Sequence, residues 1–278
     1  MTPQEEQYQR DLERIQQFRL MDDDFFSACM QDNEEAVQLI VRIVLDDDSI
    51  RVTKVVPQKE MKNLLGHSLY LDVYAEDAHN QRIDIEIQRN DAGAVPERAV
   101  YHSSMLDANS LAKGETDFAK KAETYTIFIT EHDTCGGNLP IYYVERVIRN
   151  MGNKPFGGKS HIIYVNGAYQ DSTGSALGWL VHDLFCADPD EMHYKELAER
   201  VRYYKQTGEG VKAMCKIMED VRREGELKGE LKGELKAAQN IAMRLISSGK
   251  LSMEEIAEAS QLPLEKVKAM AANPVVTE

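Results

Sequence analysis

The sequence predicts an α/β fold, a mixed central β-sheet flanked by helices, with a helical tail after it. Three observations carry this expectation. Short runs rich in β-branched and aromatic residues stand at 69–89, 125–130, 141–144 and 161–165. Segments with helical apolar spacing alternate with them at 33–45 and 95–112, and helical character returns from about 175 to 220. A four-residue repeat then begins at Gly225 and leads into a polar, helix-rich end.

The 278 residues suffice for one large domain and an appendage. We expect an N-terminal helical extension over 1–21, a core domain over 22–220, a repeat helix over 221–240 and a helical hairpin over 241–278. Apolar residues make up 42% and charged residues 29%, an ordinary balance for a globular protein. No apolar run is long enough to cross a membrane. The polar start, with Glu5 and Glu6, lacks the basic and apolar stretches of a secretory signal, so a cytoplasmic location is expected. Cys29, Cys135, Cys186 and Cys215 are widely separated and form no Cys-x-x-Cys pair. They are read as free thiols rather than a zinc site or a disulfide framework. The net charge is −14. Residues 221–278 hold nine basic and nine acidic groups, so the rest of the chain carries the whole excess. That argues against tight nonspecific DNA affinity.

The elements follow in order. Residues 4–20 carry Leu12, Ile15, Phe18 and Leu20 at helical spacing. Residues 22–30 enter the core domain, with Asp22, Asp23 and Asp24 as candidate caps. Residues 33–45 form a helix with an apolar stripe at Val37, Ile40, Val41 and Val44, ended by Asp46, Asp47 and Asp48. A strand over 50–56 is expected to stop at Pro57. A hairpin over 69–89 follows, then a helix over 95–112 with Pro96 in its first turn. Strands are predicted at 125–130, 141–144 and 161–165. The glycine-containing loop at 152–158 lacks the Gly-Lys-Ser/Thr ending of a phosphate-binding loop.

The hairpin carries the chemistry. Strand side chains alternate between faces, so Leu69, Leu71 and Val73 lie opposite Tyr70, Asp72 and Tyr74. On the second strand Ile83, Ile85 and Ile87 oppose Asp84, Glu86 and Gln88. If the aliphatic residues face a core, the other face gathers Asp72, Asp84, Glu86 and Gln88. Oxygen ligands of this kind suit a hard divalent cation. An exposed amphipathic hairpin would show the same alternation. His67, His79 and His102 form no close ligand pair in the sequence and are read as incidental.

Asp72 followed across a hairpin by Glu86-Ile87-Gln88 resembles the PD-(D/E)XK nuclease superfamily, with Gln where Lys usually stands. The Gln variant resembles the recombination-promoting nuclease and transposase-like branch, the Rpn family. Asp24-Phe25-Phe26 looks like the entry of that branch. Asn33-Glu34-Glu35 looks like the start of its first core helix. Arg98 and Tyr101 look like its Arg-x-x-Tyr helix. The resemblance covers roughly 20–240 and implies a restriction-endonuclease-like core. It further implies a DNA endonuclease dependent on Mg²⁺, with Mn²⁺ as a substitute. Asp72 and Glu86 would be metal ligands, with Glu35 as a further ligand or water-orienting group. Gln88 would replace the lysine and position water without supplying charge. Arg98 would meet a substrate phosphate, with Tyr101 beside it. Asp84 has no role in the pattern and is expected to be solvated or paired with Arg82 or Arg89. The acidic charge and missing lysine favour an alternative, a weak or inactive nuclease-fold protein serving as an interaction module.

The repeat Gly225-Glu226-Leu227-Lys228 recurs at Gly229 and Gly233. Residues four apart lie on nearly the same side of a helix, so leucines, glycines and charges form separate rows. Each glycine weakens an isolated helix by about 1 kcal/mol. The repeat is read either as a homo-oligomerisation helix or as a solvated connector. Ser252 and Glu255 fit a capping box that opens a helical hairpin. Its second helix offers only Lys266 and Lys268, which is poor equipment for reading bases.

Overall fold

The computed structural model describes residues 2–63 and 66–272, and residues 273–278 of the expected tail lie outside them. The chain falls into two compact units, Met1–Cys215 and Lys216–Glu278.

In the first unit, α1 (Pro3–Gln17) opens with a capping box between Thr2 and Glu5. Helix α2 (Asp23–Met30) buries Phe25, Phe26, Cys29 and Met30. Helix α3 (Glu34–Leu45) starts at Asn33, whose side chain accepts the Ala36 N–H. It stops at Asp46, which takes a left-handed conformation with φ 51°. The acidic run therefore ends the helix by backbone turn rather than by charge.

Strand β1 (Val52–Met61) passes straight through Pro57, where the sequence predicted an end. The reason is its place in the sheet. The six-stranded order is β1-β2-β3-β4-β8-β5, so β1 is an edge where a missing N–H is tolerated. Strands β2 (Leu69–Asp77) and β3 (Arg82–Gln88) form the predicted hairpin. Asp77 tightens its turn by accepting the N–H groups of His79 and Gln81. Helix α4 (Pro96–Ala108) follows, then β4 (Thr124–Thr130) and β5 (Ile141–Val144). The two-residue strands β6 (Val147–Ile148) and β7 (Lys154–Pro155) pair as a separate ribbon, and β8 (Ser160–Asn166) returns to the main sheet. The β3–β4 and β4–β8 pairs are parallel and the others antiparallel, which makes the sheet mixed.

The register fixes which side chains share a face. Tyr74 stands opposite Asp84, Asp84 opposite Thr126, and Glu86 opposite Phe128. Ile85 stands opposite Val73 and Ile127 on the other face. Both faces of β3 are buried, and its two edges are paired to β2 and β4. The exposed amphipathic hairpin is thereby excluded. Helix α4 covers the face of Glu86, with Ala99 packed among Phe128 and Tyr164.

Helices α5 (Ala176–Phe185) and α6 (Lys195–Gln206) complete the unit, and α7 (Gly208–Ser248) begins in it. Lys205 is only 3% exposed, and its ammonium donates to the carbonyls of Gln16, Phe18 and Ala187. That clamp ties the end of α1 to the connection between α5 and α6.

In the second unit, the end of α7 packs with α8 (Met253–Ser260) and α9 (Leu264–Ala272) around Ala242, Ile256, Leu262 and Val267. Ser252 and Glu255 form the expected capping box. The repeat is helical throughout, with Leu227, Leu231 and Leu235 exposed. A Cβ at Gly225, Gly229 or Gly233 would meet nothing, so no close approach within the described residues requires those glycines. No described helix is long and apolar enough to cross a membrane. All four cysteines are free thiols.

Candidate metal centre

The β2–β3 ladder pairs residues from Glu76 with Arg82 up to Val73 with Ile85, and there it gives out. Side chains take over the freed backbone groups. The Asp72 N–H donates to Glu86 Oε1 at 3.0 Å. The Ile87 N–H donates to Asp72 Oδ2 at 2.9 Å. Each acid thus caps the strand that carries the other, which draws Asp72 and Glu86 together.

Two further groups join them. Asp84 is fully buried and shares a hydrogen bond with Glu86. His102, on α4, places Nδ1 3.3 Å from Asp84 Oδ2 and 3.6 Å from Glu86 Oε1. Its ring meets Phe128 edge-on with centroids 5.6 Å apart, which fixes its tilt. Arg98, one helical turn earlier, donates from Nη2 to Glu86 Oε2 at 3.3 Å. On the side of α2, Asp23 shares a hydrogen bond with Asp72.

The electrostatics follow from this crowding. Burial, and then the Glu86 and Asp23 carboxylates, hold the Asp72 carboxyl well above the usual range. Burial is also the main cause at Asp84 and at Glu86, where the neighbouring Asp84 adds to it. Burial lowers the His102 imidazole, against the pull of Glu86. The cluster therefore holds more acid than its own bases neutralise. Asp84 Oδ1 is buried without a hydrogen-bond partner among the described residues. A divalent cation answers both conditions, since it supplies charge and occupies an unused oxygen. One ligand atom each from Asp84, Glu86 and His102 lie within 4.8 Å of one another.

The sequence-predicted residues divide. Asp72, Glu86 and Arg98 come together. Gln88 ends β3, half-buried, with its amide lying over Gly93, where a Cβ would sit 1.9 Å from Oε1. Glu35 is exposed in the first turn of α3, and among the described residues no hydrogen bond or ion pair links it to the cluster. Asp23 takes the place beside Asp72 on the helical side. The Tyr101 hydroxyl donates to the His67 carbonyl and accepts from Asn63 Nδ2, and its side chain packs against the apolar cluster that holds Leu71, Tyr74 and Leu106. It braces the loop before β2. Two readings are corrected outright. Asp84 is not solvated, and Arg82 and Arg89 do not pair with it. Arg82 donates to the Asn109 carbonyl, and Arg89 pairs with Asp22 and Glu131. Nor is His102 incidental. Its signal was present in the spacing, because Arg98 and His102 are four apart and must share a helix face.

No curated protein and no solved structure gives a significant match to the chain. A family model described as PD-(D/E)XK nuclease family transposase matches residues 25–168, a span that contains the sheet, α4 and every residue of the acidic cluster except Asp23. That span is more than half of the chain, which therefore belongs to the PD-(D/E)XK nuclease family transposases.

Proposed function

We propose that the protein is a metal-dependent DNA endonuclease that hydrolyses phosphodiester bonds in the cytoplasm, in the service of recombination or a mobile element. The observation that carries this reading is the buried acidic cluster of Asp72, Asp84 and Glu86, short of positive charge and placed on the family's matched span. Mg²⁺, or Mn²⁺ in its place, would be held by Asp72 and Glu86 and would supply positive charge to the phosphoryl oxygens and an acidic water. Arg98 presents one edge of its guanidinium to Glu86, and its side chain is 40% exposed. The free edge suits a phosphate oxygen and would orient the scissile group. Gln88 stands where the strand leaves the core. Its amide would position a water but lend it no charge, so the rate should fall below that of a lysine-bearing relative. The net charge of −14 implies weak nonspecific affinity for DNA, because the excess acid repels the phosphates.

One observation favours a second reading, the interaction module. Leu227, Leu231 and Leu235 stand exposed at four-residue spacing, a row suited to pairing with a second copy through residues 221–240. A plasmid assay separates the two. Supercoiled DNA is incubated with protein in Mg²⁺ or in chelator, beside Asp72→Asn, which keeps an acceptor for the Ile87 N–H. Metal-dependent nicking that vanishes in the variant supports the nuclease. Absence of nicking in Mg²⁺ and Mn²⁺ at low salt moves the assignment to the interaction module.

A further inference from the structure

We propose that His102 and Asp84 complete the metal centre as ligands beside Glu86, so that an imidazole nitrogen makes the site prefer Mn²⁺ to Mg²⁺. This inference rests on the nuclease reading above and extends it to two residues outside the Asp…Glu-x-Gln pattern.

The geometry argues for a ligand rather than a buried histidine tied to one acid. A neutral imidazole has one N–H. Here Nδ1 faces two carboxylate oxygens, Asp84 Oδ2 at 3.3 Å and Glu86 Oε1 at 3.6 Å, and one proton cannot serve both well. Asp84 Oδ1 is buried and has no hydrogen-bond partner among the described residues. Asp84, Glu86 and His102 are respectively 0%, 0% and 3% exposed, so an unmet group among them is costly. A cation between the three groups satisfies Nδ1 and both acids together. The scaffold is rigid at this point. Asp84 and Glu86 lie two apart on an internal strand, and His102 is wedged against Phe128.

The ligand chemistry then sets the preference. Mg²⁺ demands oxygen donors and gives up water reluctantly, whereas Mn²⁺ accepts imidazole alongside carboxylate. A site that adds an imidazole to its carboxylates should therefore hold Mn²⁺ more tightly.

The test uses the full chain and the metals alone. Mn²⁺ and Mg²⁺ are titrated calorimetrically, and the Mn²⁺ complex is examined by pulsed electron paramagnetic resonance for nitrogen coupling. The expected result is a ¹⁴N coupling that changes on ¹⁵N-histidine labelling of the unmutated protein. It should persist when His182 and His193, a close imidazole pair beside Asp183, are both replaced by alanine. His102→Gln should lose it, and its Mn²⁺-to-Mg²⁺ affinity ratio should fall by about 10- to 100-fold. Mn²⁺ bound to the wild type without nitrogen coupling, or an unchanged ratio in His102→Gln, overturns the inference and leaves the nuclease reading standing. Failure of the wild type to bind either metal overturns both. Because the coupling is read on unmutated protein, a variant that does not fold cannot rescue the proposal.

Discussion

Asp84→Asn should make the metal-free protein more stable. Asp84 is fully buried, one of its oxygens is unpartnered, and its other neighbours include Glu86. Ligand atoms in this group lie within 4.8 Å of one another. Two unit charges at that separation, at an effective dielectric of about 20, repel by about 3 kcal/mol. Arg98 and partial protonation offset some of this, leaving about 2 kcal/mol for the amide to relieve. For a unit of this size that is a rise of about 4–8 °C in Tm. The assay is calorimetric melting in chelator at pH 7 and pH 5. The sign follows from the raised carboxyl. Its contribution is fully present below the ordinary value of 3.8 and is lost as pH rises through the folded value. The wild type should therefore gain on acidification more than the variant, and the gap should narrow at pH 5. Added Mn²⁺ should reverse the order, because only the wild type keeps the full ligand set. A variant that melts below the wild type at pH 7 in chelator, or a gap that does not narrow at pH 5, refutes the account of the cluster as charge-frustrated.

Lys205→Met removes three ammonium–carbonyl hydrogen bonds and leaves the carbonyls of Gln16, Phe18 and Ala187 without that donor. The expected loss is about 2–4 kcal/mol, read as a Tm lower by about 5–10 °C, with metal affinity unchanged. A variant as stable as the wild type would mean that desolvating the ammonium cancels the clamp. Arg98→Ala should raise the KM for DNA while tightening Mn²⁺ binding by up to about fivefold, the worth of a half-exposed ion pair of about 1 kcal/mol. Plasmid kinetics and calorimetry read the two effects separately, and an unchanged KM removes Arg98 from phosphate binding.

The parts legible in the sequence were those set by local alternation. The strands, the shared face of Asp72, Asp84 and Glu86, and Asn33 and Ser252 as caps all follow from periods of two or 3.6 and from capping chemistry. What was missed depends on tertiary position. Pro57 does not end β1, because that strand lies at an edge. Asp84 looked like a surface charge, because nothing local says that β3 is covered on both faces. His102 was sought among neighbours in sequence, whereas its partners come from the sheet. Glu35 and Asp23 both open helices, and only the packing of α2 brings Asp23 to Asp72.

The crossed bonds between β2 and β3 bear on how such a chain would decay. Asp72 and Glu86 each replace a rung of the ladder for the opposite strand. A descendant that abandoned chemistry would still need an acceptor at each position to keep two buried N–H groups satisfied. Selection for folding alone would thus preserve the acids, or their amides, long after cleavage had ceased. An intact Asp…Glu pair is therefore what the upkeep of the sheet alone would also leave. The residues whose loss should mark a retired enzyme are His102 and Arg98, which hold no backbone in place.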